Sequence, residues 1–163
     1  MVRHTRTAIA CIAAVLILAA CGSAPRQPGQ ESAADAPSRL SDGQASDIAI
    51  HALGLVGTPY RYGGNTPEGG FDCSGLIGYV YRSETGTPPP RTVAQLRSYG
   101  APLPRTELRT GDLVLFGTGV PTHAGIYVGN DRFVHAPSTG GTVRLDSLDG
   151  PYWSRQVATF RRP

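Results

Sequence analysis

The chain has 163 residues, 40% hydrophobic and 17% charged, which suits one folded domain plus a short address label. Its formal charge of +3 comes from 15 basic residues, all arginine, against 12 acidic ones. So weak a balance, with no basic stripe interleaved with aromatics, gives no support for nucleic-acid binding.

Met1 to Ala20 is the address label. Arg3, His4 and Arg6 make a basic start, and Ile9 to Leu18 a short apolar run. A bilayer-spanning helix takes about 20 apolar residues, so a signal peptide fits better than an anchor helix. The run leads into Leu18-Ala19-Ala20-Cys21-Gly22, which resembles the lipobox of bacterial lipoproteins. The alternative is an ordinary cleavage site that happens to contain a cysteine. The resemblance implies cleavage before Cys21 and acylation of its thiol and new amino terminus. Two or more acyl chains, at about 0.8 kcal/mol per buried methylene, anchor stably. The protein is then expected on the extracytoplasmic face of a bacterial membrane, carrying 13 basic residues against 12 acidic. Residues 22–40 are rich in Ala, Ser, Pro, Gln and Gly without apolar periodicity, as a flexible tether is. The expected organisation is a signal peptide over 1–20, lipidated Cys21 and tether over 21–40, and one folded domain over 41–163.

Ser41-Asp42-Gly43-Gln44 fits a capping box, and Ile48, Ala49, Ala52, Leu53 and Val56 mark the buried face of a first helix. Gly57 and Pro59 are expected to end it. After a Gly-rich loop, Asp72 can cap a second helix whose core face is Leu76, Ile77, Val80 and Tyr81. That helix should stop near Gly86, before Pro88-Pro89-Pro90, and Thr92 can cap a short third helix from Val93 to about Tyr99. Beyond Gly111 the pattern changes to strands: Leu113–Phe116, Ala124–Val128, Arg132–Ala136 and, more weakly, Thr142–Leu145 and Val157–Arg161. Helices first and strands afterwards predict an α+β domain with N-terminal helices packed on a C-terminal antiparallel sheet.

Asp72 puts Cys73 in the first turn of the second helix, where the macrodipole favours thiolate and pKa values of roughly 3.5–7.5 occur. Cys11 leaves with the signal peptide and Cys21 takes the lipid, so Cys73 is the free thiol of the mature chain. An unpaired cysteine in a compartment that favours disulfides is a candidate nucleophile; the bland alternative is a small buried hydrophobe. A thiol nucleophile needs a base. His51 lies in the first helix without an evident partner and is read as structural. His123 and His135 fall on successive strands across the turn at Gly129-Asn130-Asp131, as a Cys–His–polar triad requires.

Five blocks carry a family resemblance. Pro59-Tyr60-Arg61-Tyr62-Gly63-Gly64, Asp72-Cys73-Ser74-Gly75, Gly111–Phe116, His123–Gly129 and Phe133-Val134-His135-Ala136 resemble, in order, the NlpC-type cell-wall peptidases. Those are papain-like cysteine hydrolases of bacterial peptidoglycan. Pro90-Arg91-Thr92 and Pro151-Tyr152-Trp153 further resemble the small lipoprotein murein endopeptidases among them. The resemblance implies Cys73 as nucleophile, His123 as base and His135 as the group that orients it. It implies Tyr60 as a second oxyanion donor beside the Cys73 backbone N–H, and Asp72 and Ser74 as a pair that in some relatives binds a stem-peptide amine. Gly63, Gly64, Gly69 and Gly70 are read as turn or close-approach positions, and Asp112 as a turn residue. The expected bond is D-Ala–meso-diaminopimelate in cross-links. D-γ-glutamyl–diaminopimelate and a papain-like amidase or acyltransferase are the alternatives, and a catalytically dead wall-binding lipoprotein a further one. Cys73, His123 and His135 are also donors that zinc accepts, but three are fewer than a structural site wants. No metal or cofactor is expected, and the partners are peptidoglycan and the membrane, with the protein a monomer.

Side chains alternate faces along a strand, so register decides whether His123 and His135 share one. A plain two-residue loop, Asn130-Asp131, sets Ile126 opposite His135 and turns the histidines apart. The triad therefore predicts an odd-length loop, or an equivalent bulge, that sets Gly125 opposite His135 and points both rings toward Cys73.

Overall fold

The computed structural model describes residues 39–163; the expected signal peptide, Cys21 and nearly all of the expected tether lie outside them. Helix α1 spans Asp42–Gly54, and the Ser41/Gln44 capping box forms in full. Ile48, Ala49 and Ala52 are buried as expected, whereas Leu53, in the last turn, and Val56, beyond the helix end at Gly54, are exposed. Helix α2 spans Cys73–Thr85, with Asp72 as N-cap accepting the Gly75 N–H and Leu76, Ile77, Val80 and Tyr81 fully buried. Thr92 caps α3, which is a single turn, Val93–Leu96. No helix of the described residues is long and apolar enough to cross a membrane.

Between the helices lies a small ribbon of β1 (Asn65–Thr66) and β2 (Gly70–Phe71). The main sheet, among the described residues, has six antiparallel strands in the order β3-β8-β4-β5-β6-β7. They are β3 (Ala101–Leu103), β4 (Leu113–Phe116), β5 (His123–Gly129), β6 (Arg132–His135), β7 (Arg144–Ser147) and β8 (Ala158–Arg162). Strand β3, too short and proline-bearing to stand out in the sequence, pairs with the carboxy-terminal strand. The α+β prediction is borne out.

Alternation along the strands builds two cores. Leu113, Leu115, Ala124, Ile126 and Val134 pack beneath α1 and α2. Val114, Phe116, Tyr127 and Phe133 face the other way, into a cluster with Leu148 and Trp153. Two further ties hold the layers. His51 Nδ1 meets Glu84 Oε1 at 2.6 Å, so this helix residue does have a partner, on α2. Asp112 accepts the Arg109 N–H in its turn and also pairs with buried Arg162 at 3.1 Å. A buried pair of this kind is costly to break from one side, because a desolvated charge remains.

Candidate active site

Two glycines let the site assemble. A Cβ on Gly75, in the first turn of α2, would run into the Gly64 carbonyl oxygen, so only glycine lets the loop lie on this helix end. The loop then donates the Gly63 N–H to Asp72 Oδ2 (3.0 Å) and accepts the Asp72 N–H at the Gly64 carbonyl (3.1 Å). On β5, a Cβ at Gly125 would stand 2.7 Å from the Phe133 ring and 3.2 Å from His135 Cβ. Its absence leaves room for the His135 ring beside His123.

The β5–β6 hairpin combines both register options. Its loop is the two residues Asn130 and Asp131, with φ of 52° and 53°, and Gly129 pairs with Arg132. Val128 is then bulged out, so Tyr127 pairs with Phe133 and Ile126 with Val134. The bulge restores the parity that the triad needs. His123 Nε2 lies 2.9 Å from His135 Nδ1, with the rings edge to face at 5.0 Å. The face they share is the one away from α1 and α2, alongside Phe116 and Phe133. The expectation that both rings point toward Cys73 therefore needs correcting. Cys73 packs against the buried cluster that includes Ala124, the residue after His123.

Two grooves meet there, at Thr122. One, of about 550 Å³, is lined by Cys73, Tyr60, Asp72, Ser74 and Arg91; the other, of about 480 Å³, by His123, His135, Tyr152 and Trp153. Tyr60 is held by its own N–H to the Gly141 carbonyl (2.8 Å) and stands near enough to Cys73 for a thiolate there to raise its phenol pKa, on top of burial.

Three residues at the site were not singled out for it by sequence reasoning. Arg91 bridges the pair beside the nucleophile, donating to Asp72 Oδ1 (3.0 Å), Asp72 Oδ2 (2.9 Å) and Ser74 Oγ (2.6 Å). Burial alone would raise the Asp72 pKa, but Arg91 and the Gly75 N–H outweigh it and hold the carboxyl below its ordinary value. Asp146, on β7, stands behind His135, with Oδ2 3.1 Å from His135 Nε2. Extending the alternation from His135 across one more strand would have reached it, had the predicted strand not stopped at Leu145. Trp153 lies nearly parallel to His123 with centroids 5.5 Å apart, and its Nε1–H donates to Asp146 Oδ2 at 2.8 Å.

Burial pushes His123 down to about 3, helped by His135 and opposed by Asp146, so its ring is neutral at physiological pH. The Cys73 thiol is raised, not lowered. Desolvation and the Asp72 charge exceed the pull of the backbone N–H groups of Ser74, Ala124 and Cys73 itself. The resting pair is thus a neutral thiol and a neutral imidazole. Alkylation of Cys73 by iodoacetamide, followed by peptide mass spectrometry, is expected to keep accelerating as pH passes the ordinary thiol value of 9.0. A plateau on the acid side of neutrality would instead show a thiolate–imidazolium pair at rest. A zinc site at Cys73, His123 and His135 is disfavoured by the geometry, since both ring nitrogens of His135 already have partners.

The NlpC/P60 family pattern matches residues 57–162. Murein DD-endopeptidase MepH of Escherichia coli K12 is 41% identical over 125 residues, covering 73% of this chain and 46% of that protein. Murein DD-endopeptidase MepS/murein LD-carboxypeptidase of the same organism is 41% identical over 107 residues, 65% of this chain and 56% of that protein. The chain thus spans about half the length of these curated relatives. Among solved structures, the NlpC/p60 domain of peptidoglycan hydrolase SagA superimposes with a TM-score of 0.64 at 32% identity, covering 71% of this chain and 96% of that one.

Proposed function

The chain belongs to the NlpC/P60 family, and on that premise we propose that it is a cysteine endopeptidase of peptidoglycan, held at the membrane through lipidated Cys21. The observation that carries the reading is the 2.9 Å pairing of His123 with His135, in a groove that adjoins the one lined by Cys73 at Thr122. His123 Nε2 is committed to His135, which leaves Nδ1 as the nitrogen that can serve the thiol.

In the proposed reaction Cys73 sulfur attacks the amide carbonyl carbon while His123 takes the thiol proton. The carbonyl oxygen becomes an oxyanion between the Cys73 N–H, at the open start of α2, and the Tyr60 hydroxyl. His123 returns its proton to the leaving amine as the C–N bond breaks, giving a thioester. Water, deprotonated by His123, then attacks the thioester and the thiol is regenerated. A neutral resting pair suits this sequence, because charge appears only as the bond forms.

The proposed bond is D-Ala–meso-diaminopimelate. Two relatives are named murein DD-endopeptidases, which supports it. Arg91 supports it too: a free stem-peptide amine would have to share Asp72 and Ser74 with a guanidinium already bonded to both. A cross-link presents no such need for an amine subsite. Digestion of purified peptidoglycan, read by mass spectrometry, is expected to consume cross-linked dimers and accumulate monomeric tetrapeptides. Dimers left intact while single stems are split would transfer the assignment to the D-γ-glutamyl–diaminopimelate bond.

A further inference from the structure

We infer that Asp146 is a positioning residue that fixes the proton register of both histidines, so that the active-site relay has four members rather than three. The inference rests on Cys73 and His123 being nucleophile and base, and it extends one step behind His135.

The argument begins at Asp146 itself. Arg144 donates to its Oδ1 through Nε (2.8 Å) and Nη2 (2.7 Å), which aims the carboxylate and leaves Oδ2 for others. Oδ2 takes the Trp153 Nε1–H at 2.8 Å and lies 3.1 Å from His135 Nε2. Burial would raise the Asp146 pKa, but Trp153, Arg144 and His135 together hold it below its ordinary value. An ionised carboxylate only accepts hydrogen bonds. His135 Nε2 must therefore carry the proton.

His135 is fully buried, and burial lowers its pKa even against Asp146, so the ring is neutral and has one N–H. With that proton on Nε2, Nδ1 is a bare acceptor. Its partner at 2.9 Å, His123 Nε2, must then be the donor. His123, also neutral, is left with an unprotonated Nδ1, the nitrogen a base needs for the Cys73 proton. Each step follows from the one behind it, and the first is Asp146.

Without the carboxylate the register loses its origin. His135 is then free to carry its proton on Nδ1 and donate it to His123 Nε2. That moves the His123 proton to Nδ1, toward the thiol, where it blocks general-base catalysis. Asp146 also acts later: once His123 holds the thiol proton, its positive charge is bonded through His135 to the Asp146 charge. Trp153 keeps its face over His123 by the same bond to Asp146 that anchors its Nε1–H.

The experiment is nitrogen-15 NMR of the full chain with labelled histidines, recorded without substrate, alongside kinetics of the variants. In the wild-type protein both His123 and His135 are expected as Nε2–H tautomers. In Asp146→Ala a mixture of tautomers should appear at both rings, with kcat down about 100-fold and KM little changed. That falls short of the roughly 10⁴-fold loss seen when the carboxylate touching a catalytic imidazole is neutralised, because this one acts through a second ring. Asp146→Asn has one acceptor oxygen where the carboxylate has two; with that oxygen held by Arg144, its NH2 faces His135 Nε2 and should favour the Nδ1–H tautomer, so it is expected to lose activity as Asp146→Ala does. A wild-type His135 protonated on Nδ1, or an Asp146→Ala protein with tautomers unchanged and kcat within twofold, overturns the inference. The tautomer reading decides the matter even if the alanine variant does not fold. It is also independent of which bond the enzyme cuts.

Discussion

Cys73→Ala is expected to abolish peptidoglycan hydrolysis, by roughly 10⁴-fold or more in kcat, with the fold intact. The side chain is half-buried at the first helical position, and Asp72 still caps α2 through the Gly75 N–H when Cys73 is alanine. Losing one sulfur from that position should cost about 1 kcal/mol of stability or less. Cys21→Ser should do the opposite: leave the purified protein active but move it from the membrane fraction to the soluble one. The two cysteines differ in setting, one after an apolar leader and one at a helix start. Activity that survives in folded, purified Cys73→Ala protein would sink the nucleophile assignment, and Cys21→Ser protein still in the membrane fraction would sink the lipid anchor.

His123→Ala should be nearly as damaging, with a loss of about 10²–10⁴-fold in kcat and little change in KM. The reason lies in the resting state of the pair. Were Cys73 a ready thiolate, removing the imidazole would cost mainly the proton returned to the leaving amine. Burial and Asp72 keep it a thiol instead, so the variant lacks a group to take the proton at the moment of attack. Acid should spare the wild-type enzyme for the matching reason. With its pKa pushed down to about 3, His123 keeps its lone pair as pH falls well below the ordinary imidazole value of 6.5. Activity in alkali should recover in part for His123→Ala, because hydroxide then makes the thiolate directly. A His123→Ala enzyme with full kcat at neutral pH would remove His123 from the chemistry.

The sequence by itself determined many of the features that depend on residues a few positions apart. The Ser41–Gln44 capping box, Asp72 at the start of α2, the buried face Leu76, Ile77, Val80 and Tyr81, and the strands around His123 and His135 are local patterns. Helical and strand periods report them directly. The family blocks belong with these, since they too are short runs of neighbours. Only the tertiary structure decided what meets across the chain. Arg91 reaches Asp72 from 19 residues away, His51 finds Glu84 on another helix, and Asp146 stands behind His135 from the next strand. Register was half legible: parity demanded an odd loop or a bulge, but which one depended on left-handed Asn130 and Asp131 closing a tight turn that Val128 then offset. The thiol shows the same division most sharply. A helix start is visible in the sequence and lowers a thiol pKa, whereas the burial that raises it exists only once the sheet has closed over Cys73. Desolvation is a property of the assembled interior, and no run of neighbouring residues encodes it.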